Sequence, residues 1–251
     1  MDKHDLDPNT KPTFRRYEEG AEHDDWDLQE KIFQADTSYK CPTYIHKTPP
    51  CQGSCPSGHN IRGWLAIARG MDKPPVEDMP WQEYAFRSMA EANPFPATMG
   101  RVCPAPCEAG CNRNEVDDYV GINGVEQYVG DWANANDIKM GEAGADTGRK
   151  IAVIGGGPAG LSAAYFLRLD GHAVTLFEAN EELGGMMRYG IPGYRTPRDM
   201  LDKEIGRIID MGVDVHTNTR VGTDVSMEEL DKAFDAVFWA LGAQQGRPLP
   251  I

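Results

Sequence analysis

A glycine-rich loop at residues 155–160 constrains the fold of this chain more than any other segment. The loop reads Gly-Gly-Gly-Pro-Ala-Gly, follows a short apolar run and precedes a run rich in Ala and Leu. It therefore matches G-x-G-x-x-G between a predicted strand and a predicted helix. Gly155 permits the tight turn, Gly157 lets the backbone approach a pyrophosphate, and Gly160 lets the helix pack against the strand. We expect a dinucleotide at the N-terminus of this helix, where free amides attract phosphate.

An acidic residue downstream extends the predicted nucleotide site. Glu178 ends the second predicted strand, 18 residues after Gly160. A carboxylate near this spacing is typical of the group that binds the ribose hydroxyls of a dinucleotide. Pro158 and Ala159 complete the loop and belong to the predicted site. The loop alone does not distinguish FAD from NAD.

The C-terminal part of the sequence alternates strands with helices. Its predicted strands are 151–154, 173–177, 213–215 and a last, buried one at 236–241. Its predicted helices are 161–169, 197–211 and one that Ser226 and Glu229 open with a capping box. This alternation predicts a parallel, doubly wound sheet.

All six cysteines lie in the first half of the chain, at Cys41, Cys51, Cys55, Cys103, Cys107 and Cys111. In a reducing compartment such clustering indicates metal or redox chemistry before disulfides. Pro104 and Pro106 interrupt any regular helix through the last three cysteines, which predicts a loop around a compact centre. Zinc ribbons prefer C-x₂-C pairs, whereas cubane iron–sulfur clusters accept looser spacings. The spacing favours iron–sulfur and leaves zinc and structural thiols open.

Composition excludes several classes of function. The 251 residues carry 39 acidic against 25 basic side chains, a formal net charge of −14, which opposes a role in coating nucleic acid. No apolar run is long enough to span a bilayer, and the N-terminus lacks the apolar core of a secretory signal. We expect a cytoplasmic protein without nucleic-acid partners or membrane insertion.

The sequence divides into four predicted segments. They are an acidic arm at 1–40 with one short helix near 27–33, a helical domain at 41–135, a linker at 136–149 and an α/β domain at 150–251. Apolar residues at i, i+3, i+4 and i+7 predict helices through Ile61 and Trp64 and through Tyr128 and Val129. A third predicted helix begins at Trp81, and no strand is expected in the helical domain.

Together these motifs resemble the glutamate synthase small (β) subunit family, and the N-terminal part of dihydropyrimidine dehydrogenase is similar. The segments that carry the resemblance are 51–56, 100–111, 124–128, 186–192 and 194–197. Within this family the chain is also similar to the sulfur-metabolism branch, whose flavoprotein works with reverse-acting dissimilatory sulfite reductase. The resemblance covers nearly the whole chain after residue 35.

The resemblance favours FAD as the dinucleotide. The stretch from Glu178 and Ala179 to Gly184 and Gly185 is similar to the one that leads, in flavoproteins with two dinucleotide-binding domains, to a glycine pair near the flavin ribityl chain. Further residues implied by the family's flavin motifs are Arg188, Ile191, Pro192, Ala240 and Gly242. Arg188 would offset flavin or phosphate charge, with a surface salt bridge as an equal alternative. Thr is commoner in the family at the position of Leu241.

The resemblance also implies two [4Fe–4S] clusters in the helical domain. Cys55, Cys103 and Cys107 match three ligands of one cluster, and Glu126 stands where the family uses Glu or Gln as the fourth. The alternative for Glu126 is a solvated position on an amphipathic helix.

The second cluster departs from the family pattern. Cys51 and Cys111 match two of its ligands, but the family takes the other two from a C-x₂-C pair ahead of Cys51. This sequence has Cys41 and His46 there. We expect Cys41 to supply one ligand and consider His46 for the other, where an imidazole would raise the cluster potential. The alternative is that His46 is a neighbouring donor or a surface residue.

The implied architecture is α plus α/β: a helical double-[4Fe–4S] domain, then a Rossmann-like FAD-binding domain that is incomplete at its C-terminus. In the family, NAD(P)H reduces FAD, and electrons then pass singly through the clusters to a redox partner protein or catalytic subunit. Because the family's FAD domain is interrupted after the strand near Gly242, we expect this chain to be a fragment or half of a split protein. We therefore expect the chain alone to bind FAD weakly, without a nicotinamide site.

Two other functions remain possible from the sequence. One is a non-catalytic assembly subunit that holds clusters or zinc and binds a partner enzyme. The other is an NAD(P)-dependent dehydrogenase with a structural zinc domain.

Overall fold

The computed structural model describes residues 49–116 and 119–244. The predicted short helix near 27–33 and the candidate ligands Cys41 and His46 lie outside the described residues. From Pro49 onward the chain forms one compact unit. Among the described residues, no helix combines the length and the apolar composition that a membrane crossing requires.

The first part of this unit is helical. Its helices are α1 (Pro50–Ser54), α2 (Ile61–Ala68), α3 (Trp81–Ala90), α4 (Pro96–Val102), α5 (Pro106–Ala109) and α6 (Ile122–Ala135), with a 3₁₀ turn at Asn112–Glu115. The three helices predicted from apolar spacing are confirmed as α2, α3 and α6. No strand occurs in the described residues before Lys150, as expected.

The buried face of α6 differs from the predicted one. Val129 is fully buried as expected, but Tyr128 is 51% exposed and stacks on Trp81 instead. The buried stripe runs through Glu126 and Gly130. The difference has a physical cause, because α4 approaches α6 on the side where Gly130 has no side chain.

Helices α4 and α6 touch backbone to backbone. A Cβ added to Gly130 would lie 2.2 Å from the amide nitrogen of Ala97, and one added to Gly100 would lie 2.5 Å from that of Gln127. Real Cβ atoms do not approach a backbone so closely, so only glycine fits at either position. The two helices are therefore held in one register.

Two glycines of α6 give a matched stability prediction. Gly130→Ala should destabilise the chain by about 1–3 kcal/mol, because the new methyl group must push α4 away. Gly124→Ala should leave stability unchanged or raise it by up to about 1 kcal/mol, since nothing lies within 4 Å of a Cβ there and Ala favours helix. Urea unfolding of both variants measures the difference, and equal effects would contradict the packing described.

The second part is an α/β sheet structure. Its elements in chain order are β1 (Lys150–Ile154), α7 (Pro158–Leu169), β2 (Ala173–Phe177), α8 (Met186–Tyr189), α9 (Arg198–Ile209), β3 (Val213–His216), α10 (Met227–Ala233) and β4 (Ala236–Trp239). The four strands are parallel in the order β3-β2-β1-β4. The predicted parallel sheet and the capping box at Ser226 are confirmed.

Helices cover the sheet on both faces. Val153 and Leu176 pack with the residues of α7 and α9, whereas Ile154 and Phe177 pack on the opposite face with Leu230 of α10. Because successive residues of a strand point to opposite faces, β1 and β2 contribute to both layers. This burial on both faces explains why these strands read as continuous apolar runs.

The last strand was predicted incorrectly in two respects. It ends at Trp239 rather than at residue 241, and it is not buried. Phe238 is 43% and Trp239 46% exposed, because β4 is the edge strand and pairs only with β1 among the described residues. An apolar run does not reveal which strand of a sheet lies at the edge.

Residues 136–149 form neither helix nor strand, in agreement with a linker. They are nevertheless tied to the end of α7. The amide of Gly144 donates to the carbonyl of Arg168 over 2.9 Å, and that of Thr147 donates to the carbonyl of Gly171 over 3.1 Å.

Candidate functional site

The glycine-rich loop lies at the carboxyl end of β1, where the strand order changes direction along the chain. β1 has β2 on one side and β4 on the other, which makes a crevice at its end. Gly155 has φ +110°, a backbone conformation that favours glycine, and a Cβ there would lie 2.3 Å from the Ala240 carbonyl oxygen. A Cβ on Gly160 would lie 1.8 Å from the Gly155 carbonyl oxygen. Strand, loop and α7 are thus fitted together with no room for side chains.

A second glycine pair, Gly184 and Gly185, packs against this loop. The amide of Gly184 donates to the carbonyl of Gly156 over 2.8 Å. A Cβ on Gly185, whose φ is +47°, would lie 2.7 Å from the Cα of Gly157. The fold therefore brings together two glycine segments that are separated in the sequence, with backbone against backbone where Gly185 meets Gly157.

The Glu178 carboxylate is buried beside the loop. Its Oε2 accepts a hydrogen bond from the amide of Gly156 over 2.7 Å. Its Oε1 accepts from the backbone and the side-chain amide of Asn180, over 2.8 and 2.7 Å. Because Oε2 accepts only one bond, it retains capacity for a hydroxyl donor. The carboxylate therefore helps to shape the loop.

Arg188 forms a salt bridge, which was one of the two roles expected for it. Its guanidinium is buried, forms an ion pair with Asp202 and lies 3.5 Å from the carboxylate of Glu182. Its Nε donates to the carbonyl of Leu183. The side chain thus braces the second glycine pair against α9, and its charge is already balanced.

The remaining candidate residues of the dinucleotide site differ in their exposure. Ala179, Pro192 and Gly242 are exposed, whereas Ile191 and Ala240 are half-buried. Arg198 was not anticipated from the sequence. Its two terminal nitrogens donate to the carbonyls of Met187 (3.0 Å) and Ile191 (2.7 Å), so it fixes the turn that carries Ile191.

The cysteines within the described residues come from adjoining segments. Cys51 lies in α1, which packs against the α5 helix that carries Cys107. Cys55, Cys103 and Cys111 each lie at the end or start of a helical segment, and all five thiols are free. The prolines interrupt the helix as predicted, since Ala105 between them has φ +53°. Cys107, however, lies on a short helix instead of in a loop.

Cys103 and Cys107 are close enough to interact electrostatically. Burial raises the pKa of the Cys107 thiol to about 11, and the negative charge of a Cys103 thiolate acts in the same direction. The thiol is therefore neutral near pH 7 and would release its proton on binding metal. Within 49–116 and 119–244, no three His, Cys, Asp or Glu side chains already converge on one point. The donor chemistry nevertheless fits an iron–sulfur centre, because free thiols from adjoining segments are the ligands that such clusters use.

Glu126 is buried, so the solvated alternative is wrong. It is 6% exposed and accepts a hydrogen bond from the side chain of Asn93 over 2.8 Å. Nδ1 of the buried His59 lies 3.7 Å from the same oxygen. Burial raises the pKa of Glu126 to about 7. No hydrogen bond joins Glu126 to a thiol among the described residues.

Helix α6 nevertheless links Glu126 to the cysteine segment. Asn123, one turn before Glu126, donates through its side chain to the Cys103 carbonyl over 2.9 Å. Its amide donates to the carboxylate of Glu108, next to Cys107, also over 2.9 Å. His59 and Asn93 were not singled out from the sequence, since isolated buried polar residues leave no periodic pattern.

A polar cleft lies between the loop that follows Cys55 and helix α7. Its volume is about 560 Å³. Ser57 and Gly58, which follow Cys55, line one side, and Ser162 and Phe166 of α7 line the other. The loop after a candidate cluster ligand thus faces the helix that opens at the dinucleotide loop.

Comparison with known families finds a different family in each of the two parts of the chain. The family described as dihydropyrimidine dehydrogenase domain II, 4Fe-4S cluster, matches residues 20–138. The family described as NAD(P)-binding Rossmann-like domain matches residues 153–219. A helical 4Fe–4S domain is therefore followed by a Rossmann-like domain with a parallel sheet.

Relatives of known name match both parts. The NADPH-Fe(3+) oxidoreductase subunit beta of Geobacter sulfurreducens is 36% identical over 86% of this chain and 32% of its own length. The glutamate synthase [NADPH] small chain of Bacillus subtilis is 39% identical over 68% of this chain and 35% of its own. The glutamate synthase [NADH] of Schizosaccharomyces pombe is 39% identical over 81% of this chain and 10% of its own. The chain thus spans about a third of the length of the first two relatives and 10% of the length of the Schizosaccharomyces pombe protein. The sequence motifs, the two domain matches and these relatives agree that the chain is similar to glutamate synthase small chains and related iron–sulfur oxidoreductase subunits.

Proposed function

We propose that this chain carries the flavin and cluster centres of an NAD(P)H-linked oxidoreductase, which passes electrons between FAD and two [4Fe–4S] clusters to or from a partner protein. The observation that carries the proposal is that the glycine crevice and the cysteine segments belong to one compact unit. The loop that follows Cys55 and the helix that follows the glycine loop line one cleft, at Ser57 and Ser162 respectively. The similarity to relatives that include an NADPH-Fe(3+) oxidoreductase subunit supports a nicotinamide nucleotide as electron donor.

FAD would be held by the crevice at the end of β1. The free amides of the first turn of α7 would receive its pyrophosphate, and Oε2 of Glu178 would accept a ribose hydroxyl. The closure of Gly185 on Gly157 leaves backbone alone at this point, so a phosphate can approach closely. Arg188 and Arg198 would act indirectly, by fixing the second glycine pair and the turn that carries Ile191.

The clusters would be held by two ligand sets. Cys55, Cys103, Cys107 and Glu126 form the proposed set for one cluster. The proposed set for the other cluster consists of Cys51 and Cys111 together with Cys41 and His46. The last two lie outside the described residues. Support for the first set is the electrostatic effect of Cys103 on Cys107 and the hydrogen bond from Asn123 that links α6 to Cys103.

The division of labour follows from what each group supplies. Flavin exchanges electrons in pairs or singly and iron–sulfur clusters exchange them singly, so together they connect a hydride donor to a one-electron partner. The residues of this chain position both groups and exclude water. The burial of Cys107 and Glu126 provides the low-dielectric surroundings in which a cluster keeps its ligands.

Anaerobic purification with visible spectroscopy and analysis of iron, sulfide, zinc and flavin tests the proposal. A brown protein with iron and acid-labile sulfide, to which FAD binds, is the expected result. A colourless protein with zinc would instead support the dehydrogenase with a structural zinc domain. Clusters without any flavin binding would support an assembly subunit.

Substitution of Glu126 tests the first ligand set. Glu126→Ala should change or abolish the electron paramagnetic resonance signal of one cluster and leave the other, because a ligand is lost. Glu115→Ala, on the exposed 3₁₀ turn, is the matched control and should leave both signals unchanged. If the spectrum and iron content of Glu126→Ala equal those of the unmodified chain, Glu126 is not a ligand.

A further inference from the structure

A carboxylate from the α/β part caps a helix of the cluster domain. Glu204 of α9 is completely buried. Its Oε1 accepts a hydrogen bond from the amide of Ala97 over 2.7 Å. Its Oε2 accepts from the amide of Thr98 over 3.0 Å and from the Thr98 hydroxyl over 2.6 Å. All three donors belong to the first turn of α4.

Helix α4 has no cap of its own. Phe95, which precedes it, makes no capping hydrogen bond through its side chain, and Pro96 at its first position has no amide hydrogen. The amides of the first helical turn lack partners within the helix. Glu204, 106 residues later in the chain than Thr98, supplies the missing acceptors.

The opposite end of α4 leads directly to a proposed cluster ligand. The helix has seven residues and ends at Val102, and its C-cap is Cys103. Such a helix is about 10 Å long. Because Gly100 and Gly130 hold α4 against α6, the helix cannot slide independently of the Glu126 helix. A change at its first turn is therefore transmitted to Cys103 as a rigid displacement.

The charge of Glu204 is only partly balanced. Arg207 on the same helix acts on it electrostatically, while the guanidinium lies 5.1 Å from the centre of the Phe86 ring and its Nη1 has no hydrogen-bond partner. Asp137 acts on Arg207 in turn. Burial raises the pKa of Glu204 to about 7, although its hydrogen bonds from Thr98 and Ala97 and the charge of Arg207 oppose the shift.

Capping a buried helix end with an ionised carboxylate costs free energy, because the carboxylate is removed from water. Burying a charge costs free energy that hydrogen bonds only partly return. Both carboxylate oxygens accept hydrogen bonds from the first turn of α4, whereas a neutral glutamine could accept at only one of these positions, so this cap places a negative charge inside the protein at the start of α4.

We propose that Glu204 is a positioning residue for the cluster at Cys103 and Cys107, which it holds through α4 and whose reduction potential it lowers by its negative charge. The inference rests on the proposed function, since it requires a cluster at these thiols. It makes the α/β part a determinant of the electron affinity of the cluster domain.

The test is Glu204→Gln in the anaerobically purified chain with its clusters in place. Glutamine keeps the shape of the side chain and removes its charge. We expect iron content to be retained, the midpoint potential of one cluster to shift to a more positive value, and its resonance signal to change. Glu228→Gln, at an exposed position on α10, is the control and should shift neither.

The pH profile separates positioning from a purely structural role. In the unmodified chain the potential of this cluster should fall as pH rises through about 7, where Glu204 ionises. In Glu204→Gln the potential should be higher, and the part of the fall near pH 7 that Glu204 causes should disappear, whereas any part due to Glu126 should remain. A folded variant with full iron content, the same potential and the same pH profile would overturn the inference.

A second variant keeps the inference testable if Glu204→Gln does not fold. Thr98→Val removes one donor and leaves the carboxyl group, so the resonance signal should change while the pH dependence remains but moves to higher pH, because the Thr98 hydroxyl lowers the pKa of Glu204. An unchanged signal in Thr98→Val would argue against transmission through α4. If the unmodified chain itself shows no cluster signal, the proposed function fails, and that result is distinct from either outcome for Glu204.

Discussion

Replacing Cys107 with serine is expected to remove one of the two proposed clusters. Cys107 is buried, interacts with Cys103 and lies on the helix that packs against α1. A serine hydroxyl is a poor substitute for a thiolate toward iron, so the cluster should be lost or become labile. Iron and sulfide should fall by about half, with loss of one resonance signal, since each [4Fe–4S] cluster depends on its own thiolates.

The matched control for this experiment is Ser57→Ala in the neighbouring loop. Ser57 is exposed two residues after Cys55, so its change should alter neither iron content nor either signal. Quantitative iron and sulfide analysis, with signals integrated per chain, gives the result. Full iron in Cys107→Ser would remove this residue from the ligand set, and complete loss of iron would indicate that the two centres do not form independently.

Replacing Gly160 with alanine is expected to have the largest effect on flavin binding. The new Cβ would lie 1.8 Å from the Gly155 carbonyl oxygen, so the loop or α7 must move. Overpacking of this kind costs about 1–3 kcal/mol. If that cost falls on the binding-competent loop, FAD affinity should decrease about 10- to 100-fold, since 1.4 kcal/mol corresponds to a factor of ten.

Gly206→Ala is the control for the flavin experiment. Gly206 also lies in a helix of the α/β part, but nothing is within 4 Å of a Cβ there. This change should leave FAD affinity unchanged and stabilise the helix by up to about 1 kcal/mol. Fluorescence titration with FAD compares the variants with the unmodified chain. Equal affinity of Gly160→Ala and the unmodified chain would show that the loop is not the flavin site.

The local patterns in the sequence predicted the elements well, because each depends on residues close together in the chain. The apolar spacing through Trp64 predicted α2, and the glycine loop predicted the turn between β1 and α7. The interruption at Pro104 and Pro106 was also correct. In each case the local structure follows from the steric properties or the spacing of residues that lie close together in the sequence.

The parts that sequence reasoning missed depend on distant contacts. The cap that Glu204 provides for α4 joins residues 106 positions apart, and no local pattern reports it. The exposure of Trp239 depends on which strand lies at the edge of the sheet. The burial of Glu126 depends on the close approach of α4 at Gly130, which turns an otherwise solvated position inward.

The central claim is that one compact unit lets flavin and clusters exchange electrons. The most direct test is to mix the anaerobic chain, with oxidised clusters, with increasing concentrations of reduced FAD and to follow cluster bleaching by stopped-flow absorbance. We predict that the rate saturates with flavin concentration, because transfer occurs within a bound complex, and that Gly160→Ala shows a slower rate that remains proportional to flavin. Identical, non-saturating rates in both proteins would contradict the account.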